Sequence, residues 1–296
     1  MGEKVVGYSA ALLATIVWAG NFVAARALAD LIPPCQFNFW RWVIALFALL
    51  PFAFTSLRRD LKAILQHWRW LSVLAILGVT LMNALIYKAG QSTESLNMAL
   101  LMPATPIVVL ILSRILYSEP IPGRRLLGML TAMLGILLLL SRGDWQKIAS
   151  LQFNSGDLWT LGSMLCFALY SLFIRQRPKE ISPLSFNAAV FALGIIYALP
   201  CVVLEALWLP LPKITSSVLI GVCYSGIGCS ALAFWLWTCG IDRIGPVRAS
   251  IIYYSLPVFA GIESVLILQE TVLPVQIVGG LLIIGGICVA TVFGRH

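Results

Sequence analysis

The chain has 296 residues, 60% of them hydrophobic and only 11% charged, with a mean hydropathy of +0.95. That balance excludes an ordinary water-soluble domain, which needs far more polar surface. The net charge of +8 is scattered over separate loops, which suits anionic lipid headgroups and argues against a nucleic-acid partner.

The apolar residues come in runs of about twenty, the length at which a helix crosses a bilayer and satisfies its own backbone. Ten such runs are expected, near 7–29, 33–56, 70–90, 95–117, 124–141, 156–176, 183–207, 215–240, 246–269 and 274–294. The first keeps an Arg and has no small-residue cleavage pattern, so it reads as a retained span. The connections are short. The longest, Arg142–Ser155, reads as an exposed or interfacial loop. With the N-terminus cytoplasmic, fourteen of the 20 Lys and Arg residues fall on the inner side, among them Arg58, Arg59, Lys62 and Arg243. Six fall outside: Arg26, Arg41, Lys88, Arg142, Lys147 and Lys213. Both termini are therefore expected in the cytoplasm, and the chain in a bacterial inner membrane. The seven cysteines lie in or beside apolar spans without a CxxC pair and read as packing residues.

The two halves repeat. An offset of 149 aligns Gly7 with Gly156, Arg26 with Arg175, Pro34 with Pro183, Asn38 with Asn187 and Pro51 with Pro200. An offset of 150 aligns Gly90 with Gly240, and one of 151 aligns Pro106 with Pro257, Glu119 with Glu270, Gly128 with Gly279 and Gly135 with Gly286. Five spans is an odd number, so the second unit enters the membrane from the opposite side. The expected fold is all-α, ten transmembrane helices in two inverted five-helix repeats, residues 1–143 and 154–296. Such a pair suits alternating access, with a site near the midplane.

Several motifs go further. Trp18-Ala19-Gly20-Asn21-Phe22 with Arg26 marks the first span, Phe39-Trp40-Arg41-Trp42 opens the second, and Pro103 and Pro106 lie in the fourth. Glu119-Pro120 precedes Gly128 and Gly135, and Glu270 precedes Gly279 and Gly286. On these motifs the whole chain resembles the drug/metabolite transporter superfamily, the EamA-type permeases, and within it the bacterial aromatic amino-acid exporters. The resemblance implies a secondary transporter, an exporter of small amphipathic metabolites such as amino acids. One departure is Arg41, whose second-half equivalent is Val190.

Glu119 and Glu270, each ahead of a helix, read as caps in preference to proton carriers. The paired glycines read as close-packing positions. Glu263 lies inside the ninth span opposite Leu112 in the repeat, and function and simple exposure at the interface stand level for it. Arg26, Arg175 and Lys88 read as snorkelling side chains, with carboxylate binding the alternative for Arg26 and Lys88. Trp40, Trp42, Trp68, Trp70, Trp145 and Trp208 read as interfacial belts. Trp18, Asn21, Asn83, Tyr87, Met102, Tyr170 and Tyr253 form the candidate substrate site, an aromatic-walled pocket with a few amide and hydroxyl groups; ordinary helix packing is the alternative for any one of them. The only histidines, His67 and His296, lie outside the spans, so no catalytic triad, metal cluster or cofactor site is expected, and the chain does not read as an enzyme. The expected partners are a small-molecule substrate and membrane lipids. A channel-like facilitator and a non-transporting receptor or assembly subunit are the rival readings.

Overall fold

The computed structural model describes residues 2–118, 123–144, 154–209, 212–244, 249 and 252–291. Glu119, Pro120, Trp145, Lys147, Arg248, Arg295, His296 and the side chain of Arg175 fall outside that set. Among the described residues the regular structure is wholly helical. Seven helices are long and apolar enough to cross a membrane: α1 (Gly2–Ala27), α2 (Pro34–Gln66), α3 (Trp68–Ala89), α4 (Ser95–Tyr117), α6 (Ser155–Phe173), α7 (Pro183–Trp208) and α8 (216–244, its first 22 residues forming the apolar span). Three more carry shorter apolar stretches over the described residues: α5 (Gly123–Ser141) over Leu126–Leu139, α9 (Leu256–Leu268) throughout, and α10 (Pro274–Thr291) over Pro274–Val289.

The sequence explains where these helices start and stop. Proline stands at the first position of α2 (Pro34) and of α7 (Pro183), where its missing N–H is not needed and its fixed φ suits a helix. The positive-φ residues Ser118 and Gln269 end α4 and α9, and they are 151 residues apart, the offset read from the sequence. The irregular turns recur in the same way. A 3-10 turn at Met102–Ala104 precedes the helix that begins at Thr105, and a turn at Tyr254 and Ser255 precedes Leu256. α3 and α8 each contain a π-helical stretch, Ile76–Leu81 and Tyr224–Leu232. One boundary differs from expectation. α2 runs on to Gln66, ten residues past the expected end, and its 33 residues measure about 50 Å. That exceeds the roughly 30 Å of bilayer hydrocarbon, because Leu57–Gln66 is a good helix former that carries Arg58, Arg59 and Lys62 beyond the apolar run.

Packing pairs the halves. α1 lies against α8 and α9, and α6 lies against α3 and α4; α2 packs on α7 and α5 on α10. Helix ends show the directions. The Glu205 carboxylate near the end of α7 accepts from the backbone N–H of Cys35 and Gln36 at the start of α2, at 3.1 and 3.0 Å. Asp60 near the end of α2 accepts from Ser182 N, which caps α7, at 2.9 Å. Each helix therefore has a carboxylate on the orphan N–H groups of the other, and the two run antiparallel. α5 and α10 are antiparallel too. Gly135 faces Gly279, and Gly286 faces Gly128. The offset of 151 turns one of these contacts into the other.

Within the apolar interior lie several large polar side chains, and the outer surface is rich in apolar ones. Asn21, Gln36, Asn38, Arg41, Asn83, Asn97 and Gln276 are buried, while Phe47, Phe52, Leu207 and Trp208 are among the exposed apolar side chains. That distribution matches a lipid solvent.

At Gly286 a Cβ would stand 2.5 Å from both Ala132 N and Gly128 O, whereas at neighbouring Gly285 nothing lies within 4 Å. Gly286→Ala is expected to force α5 and α10 apart and cost about 1–3 kcal/mol, whereas Gly285→Ala is expected to cost nothing. Thermal unfolding in detergent compares the two; equal melting temperatures would contradict this packing.

Candidate solute-binding site

The π-helical stretch of α8 organises the site. A π-turn adds a residue to the helix and leaves carbonyls poorly paired, so side chains elsewhere can use them. Trp18 of α1 donates its indole N–H to Cys229 O at 2.9 Å. In return, Tyr224 donates its hydroxyl to Val17 O at 2.7 Å, and the Cys229 thiol donates to the same carbonyl at 3.2 Å. Ser230 donates to Ser225 O at 3.0 Å, and its oxygen is then free to accept from Arg41. The matching stretch in α3 is served by Asn38, whose amide donates to Val79 O and Thr80 O at 2.9 and 3.0 Å.

Arg41 stands at the centre. Its residue is 4% exposed, and its side chain reaches three other helices. Nε donates to Ser230 Oγ on α8 at 3.1 Å. Nη1 donates to Asn21 Oδ1 on α1 at 3.1 Å, and to Asn83 Oδ1 and the Tyr87 hydroxyl on α3 at 2.6 and 2.7 Å. Tyr87 donates its own hydroxyl to Asn21 Oδ1 at 3.2 Å. The guanidinium also lies 5.0 Å from the Trp42 ring centroid and 6.0 Å from that of Tyr87. Every one of these partners is neutral. Among the described residues the ion pairs are Arg26–Glu270 and Arg59–Asp60, and neither involves Arg41. Nη2 is used by none of the four bonds.

An aromatic group adjoins this cluster. Trp18 packs 5.3 Å from Phe234, 5.3 Å from Trp237 and 5.9 Å from Tyr253, and Trp237 lies 5.8 Å from Tyr253. Of the seven residues singled out from the sequence, Asn21, Asn83 and Tyr87 converge on Arg41, and Trp18 and Tyr253 form the aromatic wall. Met102 sits buried in the main apolar cluster, and the Tyr170 ring covers Gly78 in the π-stretch of α3. Neither Met102 nor Tyr170 is hydrogen-bonded to the Arg41 network.

Two sequence expectations change. Trp42 is not interfacial: it is 4% exposed and donates to Asn38 Oδ1 at 3.0 Å, so its indole serves the inner polar chain. Glu270 caps α4 and not its own α10: its carboxylate accepts from Ser95 N at 3.2 Å and Ser95 Oγ at 2.7 Å, and lies 4.0 Å from Arg26. Sequence reasoning missed Arg41, Ser230, Tyr224 and Trp237 as site residues. For Arg41 a signal existed, since a lone arginine inside an apolar span is a functional candidate by default.

A separate apolar groove of about 480 Å³ opens between α4, α9 and α10, walled by residues such as Leu100, Ile262, Val265 and Leu281. It shares no lining residue with the Arg41 cluster.

The EamA-like transporter family model matches the chain twice, over residues 5–141 and 154–292. The uncharacterized transporter YyaM of Bacillus subtilis is 28% identical over 74% of this chain and 72% of its own length. An uncharacterized transporter of Archaeoglobus fulgidus is 25% identical over 94% of this chain and 95% of its own. Protein PecM of Dickeya dadantii is 25% identical over 72% and 70%. A solved crystal structure with 18% identity superimposes with a TM-score of 0.61 over 99% of this chain and 98% of that one, which speaks for the fold. Two copies of the family domain, filling nearly the whole of an apolar helical chain, make this protein a member of the EamA-like transporter family and a multi-pass membrane transporter.

Proposed function

We propose that the protein is a secondary transporter that exports small amphipathic metabolites, amino acids and above all aromatic ones, by alternating access between two inverted five-helix units. In this reading residues 1–143 and 154–296 are the units, all ten helices cross the inner membrane, and both termini are cytoplasmic. The observation that carries it is the antiparallel pairing of equivalent helices, α2 with α7 and α5 with α10. Equivalent helices that run in opposite directions are related by an axis in the membrane plane. Exchanging the two halves then converts an arrangement open to one side into one open to the other, at little difference in free energy. The direction of transport rests on the family resemblance.

The solute is bound where the halves meet, by α1, α3 and α4 and their equivalents α6, α8 and α9. Trp18 and Tyr253 supply an aromatic wall, and Asn21, Asn83 and Tyr87 supply polar contacts gathered on Arg41. Met102 and Tyr170 belong to the same helices and come into reach only if the helices rearrange during the cycle. A site of this kind suits a solute with a flat apolar body and a polar end.

Three outcomes are expected. In liposomes holding the purified protein, internal phenylalanine accelerates entry of labelled phenylalanine; flux without such trans-stimulation would make the protein a pore, and no flux a non-transporter. Reporter fusions at Lys62 and Lys147 report opposite sides of the membrane, and the same side for both would overturn the topology. Trp18→Ala weakens transport of aromatic amino acids several-fold, as expected for losing an aromatic contact worth about 1 kcal/mol; the comparison needs apparent KM in vesicles matched for protein content.

A further inference from the structure

We infer that Arg41 and Glu263 are the two charge-reading poles of one intramembrane site, and that its substrate is a zwitterion whose carboxylate pairs with Arg41 and whose ammonium pairs with Glu263. The inference rests on the carrier reading above and adds the chemistry of the substrate.

Two facing observations carry it. Arg41 is a buried cation held only by neutral oxygens, with Nη2 outside its four hydrogen bonds. Neutral acceptors orient a guanidinium, but they leave its charge uncompensated in a medium that screens poorly. A planar carboxylate from outside the protein supplies the missing charge and matches the guanidinium fork. Glu263 is the converse. It is half-buried on α9, and among the described residues it makes no hydrogen bond or ion pair. Its Oε2 lies 3.0 Å from where a Cβ on Gly20 would stand, and the Tyr224 hydroxyl fills the same space. Only glycine at position 20 lets both groups lie against α1. A carboxylate brought that far inside without a donor is matched by an ammonium, which has three.

The two poles share one turn of α1. Gly20 faces Glu263, the next residue Asn21 binds Arg41, and Trp18 begins the aromatic wall; residues 18 to 21 span about 4.5 Å along the helix axis. The two charges are nevertheless farther apart than an ion pair, so they do not cancel each other. The repeat equivalents are Val190 for Arg41 and Leu112 for Glu263, both apolar. A scaffold with two-fold character therefore carries one set of poles, which sets one zwitterion per chain.

The test is counterflow of labelled phenylalanine in liposomes, with competition by phenethylamine, which lacks the carboxylate, and by 3-phenylpropionate, which lacks the ammonium. For the wild type, each analogue is expected to compete about tenfold or more weakly than phenylalanine, the scale of one charged hydrogen bond. Glu263→Gln is expected to abolish the discrimination against 3-phenylpropionate and keep that against phenethylamine. Arg41→Gln is expected to do the reverse. Because Arg41 also ties three helices together, Arg41→Lys, which keeps the charge but not the fork, serves as a second variant, expected to fold and to bind phenylalanine more weakly without gaining phenethylamine. Glu263→Gln with wild-type discrimination overturns the inference. So does wild-type protein that exchanges either analogue as well as phenylalanine, and in both cases the carrier reading stands. Wild-type protein without trans-stimulated exchange of any of the three overturns both.

Discussion

A guanidinium in the middle of a membrane protein constrains everything near it. Water is not at hand around Arg41, so its side chain has to be held by oriented dipoles. Four oxygens from α1, α3 and α8 orient the guanidinium, and two of those accepting oxygens belong to amide side chains that could have packed nowhere else in an apolar interior without cost. Asn21, Asn83, Tyr87 and Ser230 are thus buried as a group, each justified by the same cation. The geometry also ties the first unit's α1, α2 and α3 to the second unit's α8, so the charge sits where the units meet.

The π-helical stretches make that meeting workable. Each widens its helix and frees carbonyls, and in both cases α2 answers: Asn38 takes two carbonyls of α3, and Arg41 takes the serine that spans the widened turn of α8. Trp18 and Tyr224 bind α1 to α8 through further main-chain oxygens. Contacts of this kind are directional and few, unlike the close glycine-lined face between α5 and α10, where backbones touch over several turns. In the carrier reading proposed above, the first are exchanged for other partners and the second is a fixed support. This division fits a transporter in which one pair of helices holds the units together while others change neighbours.

How much of this could be read beforehand depended on how local the signal was. The proline starts of α2 and α7 and the glycine pairs each follow from residues close together in the chain, and the structure has them where the sequence suggests, whereas α2 runs on past the end its apolar run suggests. The repeat was legible because proline, glycine and charged residues are scarce in so apolar a chain, so their ordered recurrence stands out. Asn21, Asn83 and Tyr87 were legible as polar groups that would be costly against lipid, though not as partners of one another.

Other features were decided only by the tertiary structure, and for a shared reason. Glu270 stands before α10 yet caps α4, and Glu205 and Asp60 cap helices that are far away in sequence, because an orphan N–H accepts whichever carboxylate packing brings to it. Trp42 resembles a belt residue by its position near a span end, but the closeness of Asn38 one turn earlier draws its indole inward. Arg41 was visible as a basic residue without a counterpart. Whether it snorkelled to the headgroups or turned inward was set by what α1, α3 and α8 could offer, residues 20, 42 and 189 positions away along the chain. Sequence by itself determined that this chain lives in a membrane, is helical and is doubled, since those properties follow from residue type and spacing. Which polar groups meet inside it depended on long-range packing, where each partner is chosen by the position of all the others.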